Sequence, residues 1–162
     1  LRSDGSGAMR KRSSYKPTGV RLDTMAWVKS GLLHVGAVPS AGINLKIKNH
    51  DALASITQGK ATRDDIDILI AAVNVAEALA RLGIGQDWMA EIKQASMDVL
   101  EMAKRGVQRE DKFLFTGPEM TSVNLLMDIH DAQLDACTVK QMEQALNMVA
   151  TEIKAGKATA IA

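Results

Sequence analysis

The residues best suited to chemistry in this chain are His130 and Asp131, which are adjacent. A neighbouring His–Asp pair can supply metal ligands for hydrolysis, but such a centre needs further His and Asp ligands from other helices. His50 is the candidate for a third group. The spacing favours another interpretation, because a helical wheel places His130 on the same side as Leu134 and away from the acidic stripe. We therefore predict a hydrogen-bonded histidine at the edge of the core.

The single cysteine, Cys137, is the next candidate for reactivity. It follows His130 by seven residues, about 10 Å along a helix, and a nucleophile and its base must lie within hydrogen-bond reach. We therefore predict a buried, unreactive cysteine. One cysteine excludes an intrachain disulfide and is typical of a reducing compartment, so we expect a cytoplasmic location.

Three acids, Asp64, Asp65 and Asp67, suggest a cation site. A hard metal ion needs several oxygens converging on one point, whereas successive residues of a helix point apart. Acids at a helix N-terminus are favoured by the helix dipole, which explains them without a ligand. The chain also has no phosphate-binding loop, dinucleotide glycine fingerprint, nucleophile elbow or zinc motif. We therefore predict no enzyme activity, and no catalytic, cofactor-binding or metal-binding residues.

A run of cations lies near the N-terminus, at Arg10, Lys11, Arg12 and Lys16. It predicts a flexible basic arm over residues 9–18, which would contact phosphates in a salt-sensitive, sequence-independent way. A solvated tail is the alternative interpretation. Residues 1–8 precede a methionine and are interpreted as the remnant of an expression vector.

The elements that would position these residues are predicted to be helices. Among 162 residues, 46% are hydrophobic and 24% charged, with a net charge of +1, which indicates a globular domain, over 19–155, and excludes a disordered chain. Residues 156–162 are expected to fray. No apolar run is long enough to span a bilayer, so we expect no membrane partner.

The fold prediction centres on residues 62–82. Their polar side chains form one narrow stripe, and apolar side chains cover nearly all the remaining circumference, so the helix must be enclosed by neighbours. Within the stripe, Arg63–Asp67 and Glu77–Arg81 are expected to pair across one helical turn. The prediction is an all-α bundle of about six helices around this central buried helix. The other helices are predicted at 22–35, 49–58, 87–105, 118–136 and 138–154. An extended lead-in over 43–48 should precede the second of these, and Asp87 should cap the third. The cluster 113–115 should fold over one end of the core.

The last helix carries the predicted interaction surface, Met142, Leu146, Val149 and Ile153, which repeat at helical seam spacing. Together with nine methionines, it suggests a pliable, adaptable apolar face. The resulting hypothesis is a non-catalytic interaction or regulatory protein, typical of small bacterial or phage accessory proteins. It would act through protein contacts or as a homodimer. The alternative hypothesis is a nucleic-acid-associated protein that uses the basic arm.

Overall fold

The computed structural model describes residues 41–156, which form a predominantly helical structure without β-strands. The all-α class is therefore confirmed for this part of the chain. The predicted helix at 22–35, the basic arm and most of the C-terminal tail lie outside the described residues. No helix among the described residues is both long and apolar enough to cross a membrane. The five α-helices described are α1 (Ala41–Thr57), α2 (Arg63–Arg81), α3 (Met89–Gln108), α4 (Gly117–Ala136) and α5 (Val139–Lys154).

The first helix corrects the sequence prediction. Residues 43–48, expected to be extended, lie inside α1, which begins eight residues earlier than predicted. The alternation of Leu45, Lys46, Ile47 and Lys48 is too short to distinguish a strand from a helix. In the structure these residues are helical, and Lys46 forms an ion pair with an aspartate of α4. The helix ends before Gly59, whose φ of 69° suits a glycine just past a helix C-terminus.

The second helix packs against every other helix of the described chain. Its apolar residues serve two separate cores. The main core, between α1, α2, α3 and α4, contains side chains such as Ile66, Leu69 and Val73. The second core, around the C-terminal half of α2 and facing α5, contains Leu79 and the α5 residue Met142. Two cores on different sides of one helix explain why α2 is apolar around most of its circumference.

The polar stripe of α2 differs in part from its prediction. Arg81 does pair with Glu77, at 2.9 Å, and also with Glu152 of α5. Arg63 instead pairs with Asp111, at 3.0 Å, in the connection between α3 and α4. The stripe is therefore neutralised within itself at Glu77–Arg81, and both arginines also pair with acids outside α2.

The third helix is preceded by a short 3-10 turn, Gln86–Trp88. Its N-cap position is Trp88, without a side-chain capping bond, so the predicted cap at Asp87 is wrong. Trp88 is also 48% exposed. The apolar seam is buried further along the helix. Its members there are Ile92, Ala95, Val99 and Met102.

The connection from α3 to α4 closes one end of the main core, as predicted for the cluster 113–115. Phe113 is buried and Phe115 packs against the same core, whereas Leu114 is exposed. A Cβ at Gly106 would lie 2.1 Å from Cδ1 of Phe113, so the aromatic ring rests directly on the backbone of α3.

The last two helices begin with capping boxes, as their sequences predict. The hydroxyl oxygen of Thr138 accepts from the backbone N–H of Gln141, whose side chain accepts from the Thr138 N–H. At α4, Thr116 and Glu119 make the equivalent exchange. The Glu119 carboxylate also accepts a hydrogen bond from the Arg105 guanidinium of α3, at 2.7 Å. This bond is the main reason why the pKa of Glu119 is lowered. One carboxylate thus caps α4 and joins it to α3.

Candidate functional site

Two of the three residues considered for catalysis do meet. His50 of α1 and Asp131 of α4 are joined by a bond of 2.8 Å between Nε2 and Oδ2, at the surface. One turn away, Lys46 pairs with Asp135 at 2.6 Å. The pair joins α1 to α4 at the surface of the described chain.

His130 points away from this pair into the interior, where it is buried. Its Nδ1 lies 3.2 Å from Oε1 of Gln133. The Gln133 Nε2 donates to two backbone oxygens, those of Ala76 at 3.0 Å and Ile84 at 2.8 Å. Because these bonds use the amide nitrogen as donor, Oε1 must be an acceptor, so His130 Nδ1 carries a proton. The neutral ring is then left with an unprotonated Nε2.

Burial favours that neutral ring. Desolvation lowers the pKa of His130 below its ordinary value and outweighs the opposing effects of the Gln133 bond and the Asp131 charge. A buried imidazole is harder to protonate because its charged form loses water. His130 is therefore a neutral, hydrogen-bonded histidine, in the position predicted at the edge of the core.

The remaining reactive candidates have structural explanations. Cys137 is buried, and its burial raises the pKa of the thiol, which keeps the sulfur in its less nucleophilic form. Asp65 accepts the backbone N–H of Thr62 at 2.9 Å and so caps α2. Among the described residues, no group of three or more His, Cys, Asp or Glu side chains is placed to hold a metal ion.

A groove of about 370 Å³ lies at the surface of the described chain. Its walls are α1 and α5, and its floor is formed by α2 and α4. Leu45 and Leu146, on opposite walls, are 38% and 51% exposed. The lining is largely apolar, with a few polar side chains. It comprises Leu45, Lys48, Asn49, Asp67, Ile68, Ala71, Ala72, Val75, His130, Leu134, Met142 and Leu146.

One row of apolar residues on α2 contributes both to the floor of the groove and to the second core. Ile68, Ala71, Val75, Ala78 and Leu82 of α2 repeat at a 3-4-3-4 spacing, and we call them the α2 seam. Toward the C-terminus, the seam packs in the second core with α5. The first three members also line the groove. Within the described residues, Ile68 and Val75 are partly buried against the two cores, and Ala71 is exposed.

The predicted interaction surface divides into a buried pair and an exposed pair of residues on α5. Met142 and Val149 are buried, each 8% exposed, and belong to the second core. Leu146 and Ile153 are 51% and 55% exposed. Spacing alone could not separate them, because all four lie within about 60° of one another on a helical wheel. Of the exposed pair, only Leu146 lines the groove.

The second predicted site, Arg10, Lys11, Arg12 and Lys16, lies outside the described residues. The described part has the opposite charge balance, with 17 Asp and Glu against 12 Lys and Arg in residues 41–156. Residues 9–40 contain six Lys and Arg and one acid, Asp23. The chain therefore separates a basic N-terminal region from an acidic helical region, which its net charge of +1 conceals.

Sequence reasoning missed Gln133 and Asn49, both of which are buried. Gln133 is three residues after His130, the spacing at which side chains meet on a helix, so its bond could have been found. Asn49 stands at the start of the helix predicted over 49–58. It lies inside α1 instead, where it lines the groove.

Comparison with known proteins leaves the chain without an assigned family: no protein-family model matches it, and no curated protein or solved structure is significantly similar to it.

Proposed function

We propose that this chain is a non-catalytic interaction protein, which binds an amphipathic helix of a protein partner in the groove between α1 and α5. The observation that carries this proposal is the groove itself, which has a largely apolar lining and exposed leucines on two helices. Apolar side chains at helical seam spacing are normally covered by another helix. Here Ile68 and Val75 line a surface groove beside the exposed Leu45 and Leu146.

The shape and chemistry of the groove favour a helix as the ligand. Two helices form its walls, and Ala71 and Ala72 on its floor leave space for a close approach. Lys48 and Asp67 are exposed polar residues of the lining, suited to the polar edge of an amphipathic helix. Helix-in-groove recognition combines these features, with apolar anchors spaced three and four residues apart.

The side chains considered for catalysis support a binding role. His130 is neutral and bonded to Gln133, and His50 holds Asp131 in a surface pair between two helices. Burial disfavours the thiolate of Cys137. Each of these groups is therefore explained by packing or helix docking.

The test compares proteins captured from the native lysate by three full-length baits: wild type, Leu146→Glu and Ala150→Glu. Leu146 lines the groove, whereas Ala150 is exposed on the same helix and does not line it. We expect one partner to be retained by wild type and Ala150→Glu and reduced at least about tenfold with Leu146→Glu, because a buried, unpaired charge is costly. Light scattering would identify a second copy of the chain as that partner. Equal retention by all three baits, or no specific retention, would contradict the proposal.

The nucleic-acid alternative rests on a different observation, the charge separation along the chain. Asp and Glu outnumber Lys and Arg in residues 41–156, so the helical region disfavours phosphates. The basic residues of the arm would have to supply the contact. This alternative is therefore tested at the arm and not at the groove.

A further inference from the structure

We propose that the partner helix inserts one uncharged side chain with both a hydrogen-bond donor and an acceptor, a hydroxyl or a carboxamide, between Asn49 and His130 of the groove. This inference rests on the function proposed above, because it names the chemistry of the same partner. Two buried polar side chains in a largely apolar lining carry it. Such polar groups fix the orientation and specificity of a ligand that apolar contacts hold in place.

Asn49 and His130 lie at the same level of the contact between α1 and α4. Each is the chain neighbour of one member of the His50–Asp131 pair, which is joined by a bond of 2.8 Å. Asn49 is 6% exposed and His130 3% exposed, and both line the groove. The wall α1 and the floor α4 therefore each contribute one buried polar side chain to this part of the groove.

The ring of His130 offers an acceptor to a ligand. Its Nδ1 carries the proton and donates to Oε1 of Gln133, at 3.2 Å. Gln133 holds this tautomer, because its amide nitrogen donates to the carbonyl oxygens of Ala76 and Ile84. The unprotonated Nε2 can accept a hydrogen bond but cannot donate one. A ligand that bonds to this nitrogen must therefore supply a donor.

The carboxamide of Asn49 offers groups of both kinds. It has two N–H donors and one oxygen acceptor, and within residues 41–156 its side chain forms no hydrogen bond. Buried polar groups in proteins are nearly always hydrogen-bonded, so this amide favours a polar ligand group over an apolar one. A hydroxyl or a carboxamide can donate to Nε2 of His130 and still bond to Asn49.

Other side chains match this position less well. A carboxylate only accepts, so it cannot bond to Nε2, and an aliphatic side chain leaves both polar residues without a bond. An ammonium or guanidinium would bury a charge for which neither Asn49 nor His130 supplies an opposite charge. The backbone N–H groups inside the partner helix are already bonded to its own carbonyls. The donor must therefore belong to an uncharged side chain.

A displayed library of amphipathic helical peptides tests this chemistry. The peptides carry leucine anchors at helical seam spacing, and one central position is randomised over all residue types. The full-length baits are wild type, Asn49→Leu, the groove-blocking Leu146→Glu and the matched control Ala150→Glu. We expect wild type and Ala150→Glu to enrich Ser, Thr, Asn or Gln over Leu at the central position by at least about tenfold. Asn49→Leu should lose this preference, and Leu146→Glu should enrich no helix.

The outcomes separate this inference from the proposed function. Enrichment of helices with an aliphatic central residue by wild type would overturn the inference and still support helix binding in the groove. An unchanged polar preference in Asn49→Leu would also overturn the inference alone. Equal enrichment by wild type and Leu146→Glu, or no enriched helix at all, would contradict the proposed function and remove the inference with it.

Two substitutions of His130 separate contact with the partner from a structural role. Asparagine places its amide nitrogen where histidine has Nδ1 and keeps the bond to Gln133, whereas glutamine places its amide where histidine has Nε2. We expect a selected peptide to bind about tenfold more weakly to His130→Asn than to wild type, and His130→Gln to retain binding. A structural role alone would reverse this order, because His130→Gln loses the bond to Gln133.

Nitrogen NMR of the wild-type chain supplies a measurement that does not depend on these variants being folded. The Nε2 signal of His130 should move when the selected peptide is added, because its lone pair accepts a hydrogen bond. The Nδ1 signal should move less, since its bond to Gln133 is kept. An unchanged Nε2 signal at saturating peptide would overturn the contact with His130.

Discussion

At the scale of single residues, His130 couples stability to pH. Its burial lowers the pKa of the folded state below that of the unfolded chain. Below the unfolded value, the unfolded chain binds a proton that the folded chain does not, so the free energy of unfolding falls as pH falls. The stabilisation is therefore complete above the ordinary histidine pKa and is lost progressively below it.

We expect the free energy of unfolding of the wild-type chain to decrease between pH 7 and pH 5, with a His130 contribution of at most about 1.4 kcal/mol per pH unit. His130→Gln should lower stability and also flatten this pH dependence, because the titrating group is gone. Ile129→Val, which trims a neighbouring buried side chain of the same helix, should cost about 0.5–1.5 kcal/mol and keep the wild-type slope. Urea unfolding at a series of pH values measures the stability of each variant and its dependence on pH. A wild-type slope in His130→Gln would show that His130 does not titrate as described.

These residue-scale features were only partly accessible from the sequence. Helical periodicity placed His130 at the edge of the core because it depends on local spacing alone. The partners of Gln133 are 57 and 49 residues away at Ala76 and Ile84, and no local pattern encodes such a distance. The pairing of Arg63 with Asp111 escaped prediction for the same reason.

At the scale of elements, the contact between Gly106 and Phe113 fixes how the connection from α3 returns over the main core. The ring of Phe113 occupies the position that a Cβ of residue 106 would need. A glycine inside a helix usually weakens it by about 1 kcal/mol relative to alanine. Glycine is nevertheless favoured at position 106, because a larger residue would clash with the ring of Phe113.

We expect Gly106→Ala to destabilise the chain by about 1–3 kcal/mol, since the overpacking cost exceeds the gain in helix propensity. Gly117→Ala is the matched control, because a Cβ there would meet nothing within 4 Å. It should change stability by less than about 0.5 kcal/mol. Chemical denaturation measures both values. Equal stability of the two variants would mean that Phe113 can move away from α3 at little cost.

At this scale, local capping motifs could be predicted from the sequence, whereas the start of a helix and the burial of its residues could not. The capping boxes of α4 and α5 were predictable because each is a local motif. The start of α1 was not, because its first turns have no distinctive helical periodicity and Lys46 and His50 are paired with residues of α4. The division of α5 into a buried and an exposed face likewise depends on where α2 and α4 lie.

At the scale of the whole molecule, the separation of charge links the arm, the helical region and the groove. A net charge of +1 suggests no polyanion binding, yet the basic side chains of residues 9–40 form a strongly cationic region next to an acidic one. The acidic region attracts the basic one in the same chain and repels phosphates. Any nucleic-acid contact must therefore compete with this internal attraction and depend on the arm.

The nucleic-acid alternative consequently makes a quantitative prediction. Four arm cations, Arg10, Lys11, Arg12 and Lys16, can neutralise at most four phosphates, so the logarithm of the binding constant should fall against the logarithm of salt concentration with a slope no steeper than about −3.6. Gel shifts with duplex DNA over a salt series measure this slope.

Replacing the four arm cations by serine should abolish binding. Replacing four exposed lysines of the helical region should leave the salt slope unchanged and should not strengthen binding, because a more acidic region repels phosphates and attracts the arm more strongly. The control residues are Lys93, Lys104, Lys140 and Lys154. Binding that survives loss of the arm cations would place the contact on the helical region, and no binding at low salt would remove this alternative.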